Sequence, residues 1–281
     1  MQKKTVLVTG AGGYIGPHAV SALLDLGADV IAVDYKLDTV DDRARKIYCD
    51  IFSDKPGLFD RLGHPDACLH MAWKDGFRHN SDAHISFLSD HYKFIRRMTD
   101  EGLKQIAVMG TMHEIGYWEG SVEENTACNP QSLYGIAKNA LRQAAFAALK
   151  DKDVILQWLR AYYIYGDDER SVSIFGKLAA AEKRGDREFP FTTGKNKYDF
   201  IPVEELGRQL AACVMQTEVR GVINCCTGQP LSIAEKVESY IAEKGYRIRL
   251  KYGAYPNRPY DSPGMWGNTD KIRQIMQNVR K

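Results

Sequence analysis

Tyr134 and Lys138 stand four residues apart in the segment YGIAK. On a helix that spacing puts both side chains on one face. An ammonium beside a phenol stabilises the phenolate and lowers a pKa that is ~10 in isolation. A tyrosine so poised passes a proton to or from a substrate oxygen while hydride moves to or from a nicotinamide. The same spacing occurs in many amphipathic helices, so the pair carries meaning only in company. Thr111 supplies part of that company. It closes the apolar run IAVMGT, and a hydroxyl at a strand's carboxyl end bonds a substrate oxygen beside Tyr134.

The rest comes from TGAGGYIG near the start, where Gly10, Gly13 and Gly16 fall in a G-x-x-G-x-x-G spacing around Tyr14 and Ile15. Such a turn needs unusual dihedrals and a backbone that approaches a pyrophosphate closely. The helix that follows offers free N–H groups and the positive end of its dipole. Asp34 lies 24 residues after Gly10, at the expected end of the second strand. A carboxylate there accepts hydrogen bonds from both ribose hydroxyls and repels a 2′-phosphate, which favours NAD over NADP. Lys36 and Arg43 are near enough in sequence to keep NADP as the alternative. Asp50 and Ile51, after a third strand-like stretch, are expected against adenine.

Elements of a recognisable kind must position these residues. Apolar runs at Thr5–Thr9, Asp29–Val33, Ala67–Ala72, Gln105–Met109, Ile155–Tyr162 and Val222–Cys226 read as strands. Helical patterns fill the gaps at Tyr14–Leu26, Ile85–Glu101, Ser132–Leu149 and Glu204–Gln216, with Gly27 as the first helix stop. The alternation predicts an α/β, Rossmann-like doubly wound parallel sheet. Residues 167–202 are charged and broken by Gly and Pro, and residues 228–281 mix short signals with Pro256, Pro259 and Pro263. The expected division is a dinucleotide-binding domain at 1–166 plus 203–227 and an interleaved substrate-binding lobe at 167–202 plus 228–281.

Composition fits that picture. The 281 residues are 44% hydrophobic and 26% charged, ordinary for a packed globular protein. A net charge of +2 with scattered basic residues argues against a nucleic-acid partner. No apolar run approaches the ~18 residues of a membrane span, and the opening MQKKTVLVTG is too short for a signal sequence. Six cysteines follow no metal-ligand spacing, so no metal is expected. They read as reduced, buried packing residues of a cytosolic protein.

With these motifs in order along nearly its whole length, the sequence resembles the extended short-chain dehydrogenase/reductase family, the NAD-dependent epimerase/dehydratase type. Further matches are HMAW at His70–Trp73 (family usually H-x-A-A), GTMHEIG at Gly110–Gly116, NPQSLYGIAK at Asn129–Lys138 and LRAYYIYG at Leu159–Gly166. YDFIPVEEL at Tyr198–Leu206, INCCTG at Ile223–Gly228 and RPYD at Arg258–Asp261 complete them. The resemblance implies Thr111, Tyr134 and Lys138 as the catalytic triad, with Lys138 also on the nicotinamide ribose. It implies Met71, Ala72 and Tyr162 beside the cofactor, and Tyr163 and Arg258 on the substrate, Arg258 at its diphosphate. Trp73, Phe77, Arg78 and His79 would border the sugar, with Met112 and His113.

Departures narrow the chemistry. The family's 4,6-dehydratases place an Asp-Glu pair directly after the catalytic Thr. Here Met112 and His113 hold those positions and Glu114 comes one place late, so dehydration is not expected. Tyr163 replaces the usual Asn and Tyr198 the usual Arg, which leaves Lys195 or Lys197 as replacement phosphate contacts. The resemblance implies reduction of a 4-keto-6-deoxy sugar nucleotide, with a nucleotide-sugar 4-epimerase as the alternative and a non-catalytic NAD(P)-binding sensor as a remote one. It also implies a homodimer through helices near Ile85–Glu101 and Ser132–Leu149, the second offering Leu141, Ala145 and Leu149.

Overall fold

β1 (Thr5–Thr9) sets Val6, Leu7 and Val8 between two threonines and is buried on both faces, as a central parallel strand must be. The computed structural model describes residues 3–53, 56–166, 173–256 and 262–279. After β1 come α1 (Gly16–Asp25), β2 (Asp29–Asp34), β3 (Arg45–Tyr48), α2 (Leu58–Arg61) and β4 (Ala67–His70). Next are α3 (Ala83–Ser86), α4 (Leu88–Asp100), β5 (Gln105–Thr111), a 3₁₀ turn at Met112–Glu114, β6 (Glu119–Val122), α5 (Leu133–Leu149), β7 (Ile155–Ala161) and β8 (Tyr163–Tyr165). Then follow α6 (Ile174–Arg184), β9 (Glu188–Pro190), β10 (Lys197–Pro202), α7 (Val203–Met215) and β11 (Gly221–Cys225). β12 (Pro230–Ser232), α8 (Ile233–Lys244), β13 (Arg249–Lys251), β14 (Gly264–Gly267) and α9 (Asp270–Val279) close the chain.

Seven parallel strands form the main sheet in the order β3-β2-β1-β4-β5-β7-β11. Chain order reverses between β1 and β4, the place where such sheets open a crevice for ligands. One face packs on α1, α7 and α9, the other on α2, α4 and α5. Gly207 lets α7 lie tight on α1, since a Cβ there would stand 2.8 Å from the His18 carbonyl carbon. A second sheet, β12-β10-β14-β6 with β8 beside β10, packs with α6 and α8 around Phe175, Phe191, Phe200 and Tyr240. β6 and β8, early in the chain, thus join strands of the later lobe.

Several expectations shift in detail. The helix expected at Ile85–Glu101 is two, α3 and α4, broken at Phe87. Leu141, Ala145 and Leu149 face the chain's own core, so that stripe is not an outer surface. All six cysteines are free thiols; Cys68, Cys213, Cys225 and Cys226 are buried, whereas Cys49 and Cys128 are partly exposed. Among the described residues no helix is long and apolar enough to cross a membrane, and no group of three or more His, Cys, Asp or Glu could hold a metal.

Candidate active site

The carboxyl ends of the main strands and the second sheet enclose a cleft of about 1580 Å³. At one end lies the β1–α1 turn. Gly10 adopts φ +71°, and a Cβ there would sit 2.6 Å from the Ala72 nitrogen, so only glycine fits. Gly10, Gly13, Tyr14, Ile15 and Gly16 all line the cleft. No side chain caps the start of α1, so the positive end of its dipole is presented at the cleft.

Asp34 ends β2 at the cleft wall. One carboxylate oxygen accepts from Gly12 N (3.0 Å) and the other from Tyr35 N (2.7 Å), which fixes its plane. Lys36 and Arg43 do not line the cleft; Arg43 is bound instead to Asp41 and Asp25. Tyr35 and Phe52 line this end, where sequence reasoning expected Asp50 and Ile51. Asp50 accepts the Tyr35 hydroxyl, and Ile51 is buried under the sheet, because the chain turns directly after β3.

Tyr134, at the start of α5, and Lys138, one turn on, line the middle of the cleft with Thr111 from the end of β5. Ser132 caps α5 by accepting from Gly135 N. The Thr111 hydroxyl is hydrogen-bonded to Tyr134 and favours its phenolate, but burial outweighs this and pushes the phenol up, with Glu114 adding. The lowering expected from Lys138 is not seen. Its ammonium donates to the Met109 carbonyl (2.7 Å) and rests over the Trp73 ring, 3.8 Å from the centroid. Burial pushes Lys138 down to about 7, with Glu114 opposing.

Aromatic rings crowd the phenol. His79 stacks on Tyr134 at 5.4 Å and 13°, and Trp73, His84 and His113 meet it at 6.1, 5.2 and 5.9 Å. Burial pushes His113 down to about 3, with His79 adding, so it stays neutral. Behind Trp73 runs a chain of polar groups: Thr9 Oγ1 lies 2.7 Å from His70 Nδ1, and His70 Nε2 lies 2.9 Å from His91 Nδ1. Burial pushes His70 down to about 3, with Lys138 adding, and His91 lower still.

Met71, Ala72, Trp73, Phe77, His79, Met112, His113, Tyr162 and Tyr163 also line the cleft. Arg78 does not; it is exposed and bonds through its backbone, its carbonyl accepting from His84 Nε2. Arg258 lies outside the described residues. Neither Lys195 nor Lys197 reaches the cleft, whereas Lys177 of α6 and Tyr198 do. No sequence motif singles out Lys177 or His91. Glu114 is turned from the cleft: its Oε1 accepts from Thr111 N and Trp158 Nε1, both at 2.8 Å.

Tyr134 stands within hydrogen-bond reach of Thr111 in the cleft at the switch point, where it can move a proton. Three comparisons relate the chain to known proteins. A model of the NAD dependent epimerase/dehydratase family fits residues 6–226. The chain is 40% identical over 267 residues to the dTDP-6-deoxy-L-talose 4-dehydrogenase (NAD(+)) of Aggregatibacter actinomycetemcomitans, covering 93% of this chain and 98% of that one. Its fold is similar to MoeE5 in complex with UDP-glucuronic acid and NAD, with TM-score 0.80, 25% identity and coverage of 97% and 92%. It is also similar to the UDP-glucuronic acid 4-epimerase of Bacillus cereus, with TM-score 0.81, 21% identity and coverage of 97% and 93%.

Proposed function

The chain belongs to the NAD-dependent epimerase/dehydratase family, and from that premise we propose that it interconverts a nucleotide-linked 6-deoxyhexose and its 4-keto form with NAD. Oxidation of the C4 hydroxyl and reduction of the ketone are one reaction read in two directions. The observation that carries the proposal is the Thr111–Tyr134–Lys138 cluster, with Met112 and His113 where a dehydratase needs acids. The 40% identity to a 4-dehydrogenase supports the same redox chemistry.

NAD fits the residues present. The uncapped α1 N-terminus suits a pyrophosphate, and the Asp34 carboxylate, held by Gly12 and Tyr35, suits the ribose hydroxyls. Bound there, the nicotinamide supplies hydride transfer. Tyr134 takes the C4 hydroxyl proton as base, or returns it as acid in reduction. Thr111 hydrogen-bonds the same oxygen. Lys138 supplies the positive charge that the phenolate requires and a donor to the cofactor ribose. Met112, buried at the cleft wall, offers an apolar neighbour to a C6 methyl group. Lys177 supplies a lobe cation to the diphosphate.

Residues 1–166 plus 203–227 form the dinucleotide-binding unit and the remainder the substrate lobe, with β6 and β8 lent to the lobe's sheet. The protein works as a homodimer through α4 and α5, on the outer side that exposes Ile136 rather than through Leu141. A light-scattering mass of one chain at micromolar concentration would remove that element.

Incubation with NAD and dTDP-6-deoxyhexoses tests the reaction. NADH accumulating over many turnovers, with a 4-keto product, is the expected result. Inversion at C4 without net NADH would make the protein an epimerase. Cofactor binding without turnover of any nucleotide sugar would leave only the sensor reading.

A further inference from the structure

Lys138 is a basic group in an apolar, buried place, and only part of its environment favours its charged form. One N–H is spent on the Met109 carbonyl. On its own helix it has Tyr134; from β5 and the turn after it, Thr111 and Glu114; from β4 and α4, the imidazoles of His70 and His91. Both imidazoles stay neutral at physiological pH. The single opposite charge, Glu114, leans toward Arg160, 3.5 Å away, and Arg142, 3.8 Å away.

What lies directly against the ammonium is the face of Trp73, 3.8 Å from ring centroid to Nζ. That indole is held by several neighbours. His91 stacks on it at 4.3 Å and 17°. Its Nε1–H donates to His84 Nδ1 at 3.0 Å, and His84 Nε2 in turn donates to the Arg78 carbonyl at 3.0 Å. His70, stacked on Phe94 and bonded to Thr9, holds His91 in place.

We propose that Trp73 is a positioning residue whose indole face holds the Lys138 ammonium, charged and in place, one turn from the Tyr134 phenol. The ring quadrupole attracts a cation most strongly where water is excluded. Trp73 thus replaces part of the hydration that burial removes, and the imidazole stack fixes the indole for that purpose. The consequence for turnover rests on the proposed oxidation and reduction at C4; the pairing itself does not.

The test is a direct titration of Lys138 in the whole protein by carbon NMR of labelled lysine, assigned with Lys138→Met. Biosynthetic replacement of tryptophan by increasingly fluorinated tryptophans keeps the shape and withdraws π density, and Trp158→Phe carried through the same series separates any effect that Trp158 exerts through Glu114. The Lys138 midpoint should fall in steps with fluorination. Trp73→Leu, which keeps the site apolar without a π face, should lower it by about one pH unit. Trp73→Phe should restore part of the shift. In C4 oxidation the phenolate then loses its counter-charge, so kcat/KM at neutral pH should fall. A midpoint unmoved by fluorination, or equal in the Leu, Phe and natural proteins, would overturn the proposal, whatever the substrate assays give. A protein inactive on all nucleotide sugars whose Lys138 midpoint still falls with fluorination would refute the function and leave the pairing standing.

Discussion

Trp158 donates its indole N–H to Glu114 across 2.8 Å, and this bond helps turn the carboxylate into the core, away from the cleft. The same carboxylate accepts from Thr111 N, closing a capping box at the 3₁₀ turn that ends β5. Its other oxygen has no hydrogen-bond partner and faces Arg160, which is fully buried. Glu114 is thereby a structural anion beneath the triad. Glu114→Gln keeps the shape and one acceptor but leaves Arg160 uncompensated. Breaking a buried pair in this way costs about 3–5 kcal/mol. Urea unfolding should show a loss of that order, and a change under 1 kcal/mol would mean that Arg160 has other compensation.

Tyr134→Phe should remove most turnover while leaving NAD affinity within about twofold. General acid–base groups contribute ~10²–10⁴-fold to rate. Burial pushes the phenol up, and it lies within hydrogen-bond reach of Thr111. Steady-state kinetics beside a cofactor titration separate the two quantities. A variant that keeps half its rate takes Tyr134 out of the mechanism.

What could be read from the sequence was local. The glycine turn, Asp34 at the end of β2 and the Ser132-capped start of α5 are set by short-range backbone rules, and they lie where those rules put them. Asp50 and Ile51 do not line the cleft, because β3 ends at Tyr48 and the following turn brings Phe52 there. The break at Phe87 leaves the apolar period of Ile85–Glu101 nearly intact, so periodicity cannot reveal it. β6 and β8, four and three residues long, are too short to show alternation. The Lys138–Trp73–His91 stack joins three segments distant in sequence, and the direction of the Lys138 ammonium depends on it. Four-residue spacing put Lys138 beside Tyr134 but said nothing of the indole that takes its charge.

Asp34→Ser should shift cofactor preference toward NADP, chiefly by weakening NAD. Like charges ~4 Å apart repel by ~4 kcal/mol at an effective dielectric of 20 and ~1 in water. Even the lower figure is several-fold in affinity. With Arg43 tied to Asp25 and Asp41, no nearby guanidinium is free to offset it. The substitution also releases Gly12 N and Tyr35 N, so the turn itself should loosen. Titrating both cofactors against both proteins gives the ratio. An unchanged ratio would mean that the Asp34 carboxylate does not face the ribose.

Acid should destabilise the fold through its buried imidazoles. His70 and His113 have folded-state pKa values of about 3, below the ~6.5 of an unfolded histidine, and His91 is lowered as well. Between those values the unfolded chain binds more protons than the native one, so stability rises with pH. The contribution is complete above pH ~6.5 and is lost progressively as pH falls toward 3. Each such histidine steepens the decline by up to about 1.4 kcal/mol per pH unit. Urea midpoints measured from pH 7 down to pH 5 should therefore fall steeply. His70→Asn removes one titrating group while keeping a polar neighbour for Thr9 and His91. It should be less stable at pH 7 yet decline less steeply with acid. Parallel slopes for the two proteins would show that His70 is already accessible to protons in the folded state.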